Sequence, residues 1–91
     1  MAYTFIEDPG HGWLRVPVWE LHELGIANKV SHCSYIDGED ALLEEDCDAV
    51  LFIEARAAAH RPLDMKTDII RVYDESGRIR NCSRFPSVSR L

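Results

Sequence analysis

The sequence is poor in the features that announce a cellular address or a chemistry. No apolar run approaches the roughly 20 residues that a bilayer-spanning helix needs, so no membrane helix is expected. The N-terminal stretch MAYTFIEDPG has neither a basic region nor an apolar core and does not read as a signal peptide. Cysteine is sparse: Cys33, Cys47 and Cys82 are odd in number and lack CxxC spacing. Reduced thiols in a cytoplasm are expected, not a disulfide framework. The Asn81-Cys82-Ser83 sequon then has no consequence. Glycine forms no phosphate-cradling loop. The four histidines, His11, His22, His32 and His60, make no close ligand pair. His32 and Cys33 are adjacent, so on a strand they would point to opposite faces. No metal, no cofactor and no catalytic residue is expected from these patterns.

What remains is a chain of 91 residues with an ordinary apolar fraction of 46%. That length makes one domain, which buries about two-thirds of its unfolded surface and has little stability to spare. The net charge of −6 is unevenly spread. Up to Ala55, twelve acidic residues face only Arg15 and Lys29, whereas from Arg56 onward eight basic residues face four acidic ones. Such asymmetry points either to charged partners or to mutual neutralisation within the fold.

Leu42–His60 (LLEEDCDAVLFIEARAAAH) is the organising stretch. Asp46 or Asp48 is the expected N-cap, with Glu44 and Glu45 adding negative charge where the helix dipole favours it. The alanines carry the helix, and Pro62 stops it after His60 and Arg61. Its apolar side chains fall in two arcs. Leu51, Phe52, Ala55, Ala58 and Ala59 form the arc expected to pack on a sheet. Ala49, Val50, Ile53 and Ala57 form a second arc, separated from the first by Glu54 and Arg56, which needs its own cover. Val50, Ile53 and Ala57 are therefore a candidate dimer seam.

Around this helix, Tyr3–Glu7 and Trp13–Val16 read as a hairpin across the turn-rich Asp8–Gly12. Pro17–Leu24 reads as a helix, ended by Gly25 at the C′ position with Ile26 folded back on Leu21. Val30–Ile36 and Glu39–Leu43 read as a second hairpin about Asp37-Gly38. Thr67–Tyr73 is a fifth strand, and Arg78–Arg80 a candidate short final edge strand. The order β-β-α-β-β-α-β, with that final strand optional, predicts an α+β two-layer domain. A mainly antiparallel sheet carries both helices on one face. The domain is expected to span residues 1–83, with 84–91 a loose tail.

The acidic run Asp37, Glu39, Asp40, Glu44, Glu45, Asp46, Asp48 is the least ordinary feature. Its spacing fails the EF-hand pattern and lacks that loop's central glycine. It reads as a solvated acidic rim or as a docking surface for a basic partner, with Asp37, Glu39, Asp40, Glu44 and Glu45 as contacts. At the other end Arg78, Arg80 and Arg84, with Tyr73 and Phe85 interleaved, could follow a nucleic-acid backbone. Cys47 at the helix start is expected to be buried and inert, because neighbouring carboxylates oppose thiolate formation.

Four stretches together carry a resemblance: HGWLRVP (His11–Pro17), LHELGIANKVSHCSY (Leu21–Tyr35), LEEDCDAVLF (Leu43–Phe52) and SGRIRNCSRF (Ser76–Phe85). They are similar to a family of small, uncharacterised proteins carried on phages, prophages and plasmids of bacteria, with LEEDCD its most recognisable part. The resemblance implies an accessory gene of a mobile element and brings no activity or cofactor. The reading that follows is a small non-enzymatic protein that binds another protein through an acidic and apolar face. In a phage setting its most economical version is an inhibitor of a host defence complex, of the anti-CRISPR kind. The alternatives are a nucleic-acid accessory protein using the basic segment and, less favoured, a metal-dependent enzyme.

Overall fold

The structure, a computed structural model, describes residues 2–86. Tyr3–Glu7 (β1) and Gly12–Pro17 (β2) form the N-terminal hairpin, followed by helix α1 (Val18–Glu23). Then come Tyr35–Asp37 (β3), Asp40–Glu44 (β4), helix α2 (Asp48–Ala58), Ile69–Tyr73 (β5) and Ser83–Arg84 (β6). Single 3-10 turns lie at Ala27–Lys29 and Ile79–Asn81. The six strands form one sheet in the order β5-β1-β2-β4-β3-β6. Every neighbouring pair is antiparallel except β1 with β5. This is the expected α+β architecture, with a mainly antiparallel sheet.

Alternation along the strands builds two cores of unequal size. Leu14, Val16, Ala41 and Leu43 share one cluster with Leu21 of α1 and with Ala49 and Phe52 of α2, so both helices pack on that face. The intervening residues Ile6, Trp13 and Leu42, with Tyr35, line the opposite face. There a smaller cluster is closed by Ile79 from the second 3-10 turn. The helix side is tied by a buried polar network. Glu20 is 3% exposed, and its two carboxylate oxygens accept from the Tyr3 hydroxyl at 2.8 and 2.9 Å. Arg56 Nη1 meets Glu20 at 3.0 Å and also donates to the Tyr3 oxygen. Burial, reinforced by the hydrogen bond to Glu20 and its charge, pushes the Tyr3 phenol up to about 12. Tyr3 therefore stays protonated, as a donor, throughout the physiological range.

Both helices end in the same way. At α1, Gly25 (φ 74°) donates to His22 O at 3.0 Å and Ile26 donates to Leu21 O at 2.9 Å, the expected Schellman end. At α2 the equivalent bonds run from His60 to Ala57 O and from Arg61 to Arg56 O, at 3.0 and 2.9 Å. The left-handed residue there is His60, at φ 62°, where a Cβ is penalised. Pro62 is thus not what stops the helix. His60→Gly is expected to raise the unfolding free energy by about 0.5–1 kcal/mol, as relieved strain outweighs added freedom in the unfolded chain. Urea unfolding measures this, and an unchanged or lower midpoint would count against the strain.

Several local expectations need correction. Residues 30–34 are not strand, and β3 begins only at Tyr35. The reason is Asp48, which does not cap α2. Its buried carboxylate accepts from the Ser31 amide (3.1 and 3.2 Å), the Ser31 hydroxyl (2.8 Å) and the Ser34 hydroxyl, holding that segment as a loop. Asp46 does not cap either; the N-cap residue is Cys47, without a side-chain cap. The second hairpin turns at Gly38-Glu39, because Asp37 pairs with Asp40 and the positive φ falls on Gly38 alone. Thr67 and Asp68 stay outside β5, in a turn where both amides donate to Asp64 O. Arg78–Arg80 is not a strand; the last strand is Ser83–Arg84, paired with β3. Phe85 is buried in the main core, so packed structure runs past residue 83. The rest of the expected tail, residues 87–91, lies outside the described residues.

Candidate protein-binding surface

The acidic run does not form one surface. Asp37 and Asp40 sit side by side on β3 and β4 and clamp Arg15 of β2 at 2.8 and 2.9 Å. The Arg15 hydrogen bond and charge hold the Asp37 carboxyl below the usual carboxylate range. Glu39 is exposed at the hairpin turn. Glu44 is half-buried and accepts the Asp46 amide at 3.0 Å, with His11 at 3.9 Å. Glu45 points away from these, into a cavity on the helix side, beside Ile53 and Arg71. Two strand faces and a turn therefore separate residues that are neighbours in sequence.

The second arc of α2 is divided too. Ala49 belongs to the main core and Ile53 is half-buried, while Val50 and Ala57 are exposed. Arg56, expected to separate the arcs in solvent, instead turns inward to Glu20. Cys47 is exposed, not buried. The Ser31 hydroxyl draws its thiol down, but the charge of Asp48, followed by slight burial, Cys33 and Glu44, leaves it raised overall.

The basic segment is committed locally. Arg78 lies 3.9 Å from Asp74, and Arg80 pairs with Asp8 at 3.1 Å while lying over the Trp13 ring. Arg84 lies over Tyr35, 4.4 Å from its centroid, and donates to the His32 and Cys33 carbonyls. Arg80 and Arg84 share a shallow cleft on the open face with Trp13, Tyr35, Glu44 and Asp46, so two carboxylates answer its two cations. The ion pairs of the basic end run to Glu7 and Asp8 of the first hairpin and to Asp74, and the acidic run contributes only Glu44 and Asp46 across the cleft.

The surface that the sequence did not single out is β5. Among the described residues it pairs only with β1, and its outer edge has no neighbour. Two helices, each about 10 Å across, span roughly four strands spaced at about 4.8 Å, which leaves a six-stranded sheet uncovered at its margin. Tyr73, on the helix face, is accordingly 61% exposed, and Ile70 and Val72, on the face that carries no helix, are 55% and 43% exposed. Ile70 and Val72 lie on the open face, opposite Thr4 and Ile6; Arg71 and Tyr73 lie on the helix face, opposite Phe5 and Glu7. Arg71 stacks on Phe5 at 5.0 Å and pairs with Glu7 at 3.2 Å. Between β5 and α2 a cavity of about 170 Å³ is bounded by Phe5, Ile53, Met65 and Ile69. Met65 beside it is 53% exposed. Glu45 and Ile53, sequence-predicted contact residues from two separate groups, meet on this flank.

Among the described residues no three His, Cys, Asp or Glu side chains are grouped to hold a metal, and no helix is long and apolar enough to cross a membrane. Compared with known proteins, the chain matches no family model, no curated protein and no solved structure.

Proposed function

We propose that this protein acts by binding another protein, and that the flank formed by β5 and the adjoining side of α2 is its docking surface. The observation that carries the reading is the open edge of β5, with Ile70, Val72 and Tyr73 exposed along it. Extended apolar edges are normally blunted or covered, because they present unpaired amides and carbonyls to other chains. Here the only charge in the strand is Arg71, 65% exposed, which pairs with Glu7 and lies over Phe5. The acidic and apolar face read from the sequence thus moves from the 37–45 run to a flank that retains Glu45 and Ile53 and adds β5. The phage and plasmid setting implied by the resemblance favours a host defence complex as the target, which makes an inhibitor of the anti-CRISPR kind the leading form of this proposal.

The test is capture from host lysate followed by mass spectrometry, with Ile70→Lys/Val72→Lys as the variant. Both side chains are about half exposed, so the stability change should stay within about 1 kcal/mol per site, verified by circular dichroism. The expected result is loss of the captured partner in this variant and full capture with Glu39→Gln. Undiminished capture by the β5 variant would remove the flank from consideration.

A further inference from the structure

We infer that the partner engages as an extended apolar segment, bracketed by lysine or arginine, that adds as a seventh strand to the outer edge of β5. The inference rests on the reading of this flank as the docking surface and specifies what docks there. The main-chain groups of β5 that point away from β1 supply the hydrogen bonds of such an addition, and the side chains supply its selectivity. A strand laid along this edge meets Ile70 and Val72 on the open face and Ile69, Arg71 and Tyr73 on the helix face. Apolar residues at its centre therefore find Ile70 and Val72 on the open face, while on the helix face Ile69 and Tyr73 flank Arg71.

The ends of the edge set the charge of the incoming segment. Asp68 stands immediately before β5, and Asp74 and Glu75 immediately after it. Glu45 adds a carboxylate on the helix side, whereas Glu7 is taken up by Arg71. Basic residues at both ends of the added strand meet these carboxylates, and acidic ones would be repelled.

A second copy of the chain fits this edge poorly. Pairing β5 with itself antiparallel about Arg71 sets Arg71 against Arg71 and Asp68 against Asp74. Centring on Ile70 sets Asp68 against Val72, and centring on Val72 sets Ile70 against Asp74. Each of these symmetric registers opposes like charges or places a carboxylate across from a branched apolar side chain, both unfavourable across a ladder. An unlike strand with basic ends avoids the conflict.

The probe is a synthetic peptide with a Val-Thr-Ile-Thr-Val centre and lysines at both ends, titrated into the isotope-labelled wild-type protein by NMR. The expected result is amide shifts centred on Ile69–Tyr73. N-methylating alternate peptide amides should weaken binding about tenfold or more, because the edge hydrogen bonds are lost. Replacing the lysines by glutamates should weaken it about tenfold through repulsion at the two ends. Shifts confined to other surfaces, no shift at β5 with the peptide at millimolar concentration, or equal binding by the N-methylated peptide would each overturn strand addition. A concentration-dependent dimer in light scattering, abolished by Val72→Lys, would overturn it in favour of a second copy. If the lysate partner depends on Ile70 and Val72 but the peptide fails these criteria, the docking flank stands and only strand addition falls.

Discussion

Arg56→Leu lowers the unfolding free energy by about 3–5 kcal/mol, the usual cost of leaving one member of a buried ion pair without its partner. Glu20 Oε2 and Arg56 Nη1 are 3.0 Å apart, with side-chain exposures of 4% and 16%. Leucine keeps part of the packing but leaves the Glu20 carboxylate with only the Tyr3 hydroxyl. In a domain of this size that loss lowers Tm by roughly 15 °C or more, enough to threaten folding at growth temperature. The cause is separable from lost packing by a second change. Glu20→Gln in the Arg56→Leu background should recover part of the deficit, because an amide tolerates the site far better than an uncompensated charge. A single-variant loss below about 1 kcal/mol would show that water reaches the pair and that it behaves as a surface bridge.

Asp48→Ala comes next in size, at about 3–4 kcal/mol. The carboxylate is 3% exposed and receives the Ser31 amide and the hydroxyls of Ser31 and Ser34. Removing it strands those donors and takes negative charge from the first turn of α2. The damage extends to the sheet. The Ser34 hydroxyl accepts the Glu44 amide at 3.1 Å, and the Ser34 carbonyl accepts the Phe85 amide at 2.8 Å. β3, β4 and the last packed residue thus meet at one serine that Asp48 positions. Asp48→Asn keeps an acceptor and should cost about half as much, roughly 1–2 kcal/mol. Urea unfolding gives both values, and hydrogen exchange should show faster opening of Ser34, Tyr35 and Phe85 in the alanine variant. Equal losses for alanine and asparagine would mean that a single neutral acceptor contributes nothing and that the whole effect rests on the charged carboxylate.

Several elements were legible before any tertiary contact was known. The turn-rich Asp8–Gly12 lies between two alternating runs, so the first hairpin followed from turn chemistry. Leu21, Gly25 and Ile26 carried the end of α1 in their spacing, down to the two hydrogen bonds. Some misplaced boundaries were local, such as Thr67 and Asp68 held by Asp64, but the larger departures were decided by residues far away in sequence. Val30–Ser34 alternates well enough for a strand, but Asp48 draws it into a loop. Arg56 looked like a solvent residue on its helix, and Glu20, 36 positions earlier, turned it inward. Phe85 looked like part of a tail until β6 paired with β3 and carried it into the core.

The docking flank was the least legible part. Ile69–Tyr73 reads as an ordinary core strand, and composition cannot tell a central strand from an edge. Its position follows from a parallel pairing with β1 across more than sixty residues of chain.

Local sequence alone therefore determined the elements, their order and the α+β class, because hydrophobic period, turn residues and helix ends act over a few positions. Tertiary structure decided which carboxylates are consumed in ion pairs, which helix face is covered and which strand is left at the margin. Those outcomes depend on distances between residues that the chain holds far apart. Burial then sets the energy of each charge, and no local pattern encodes burial.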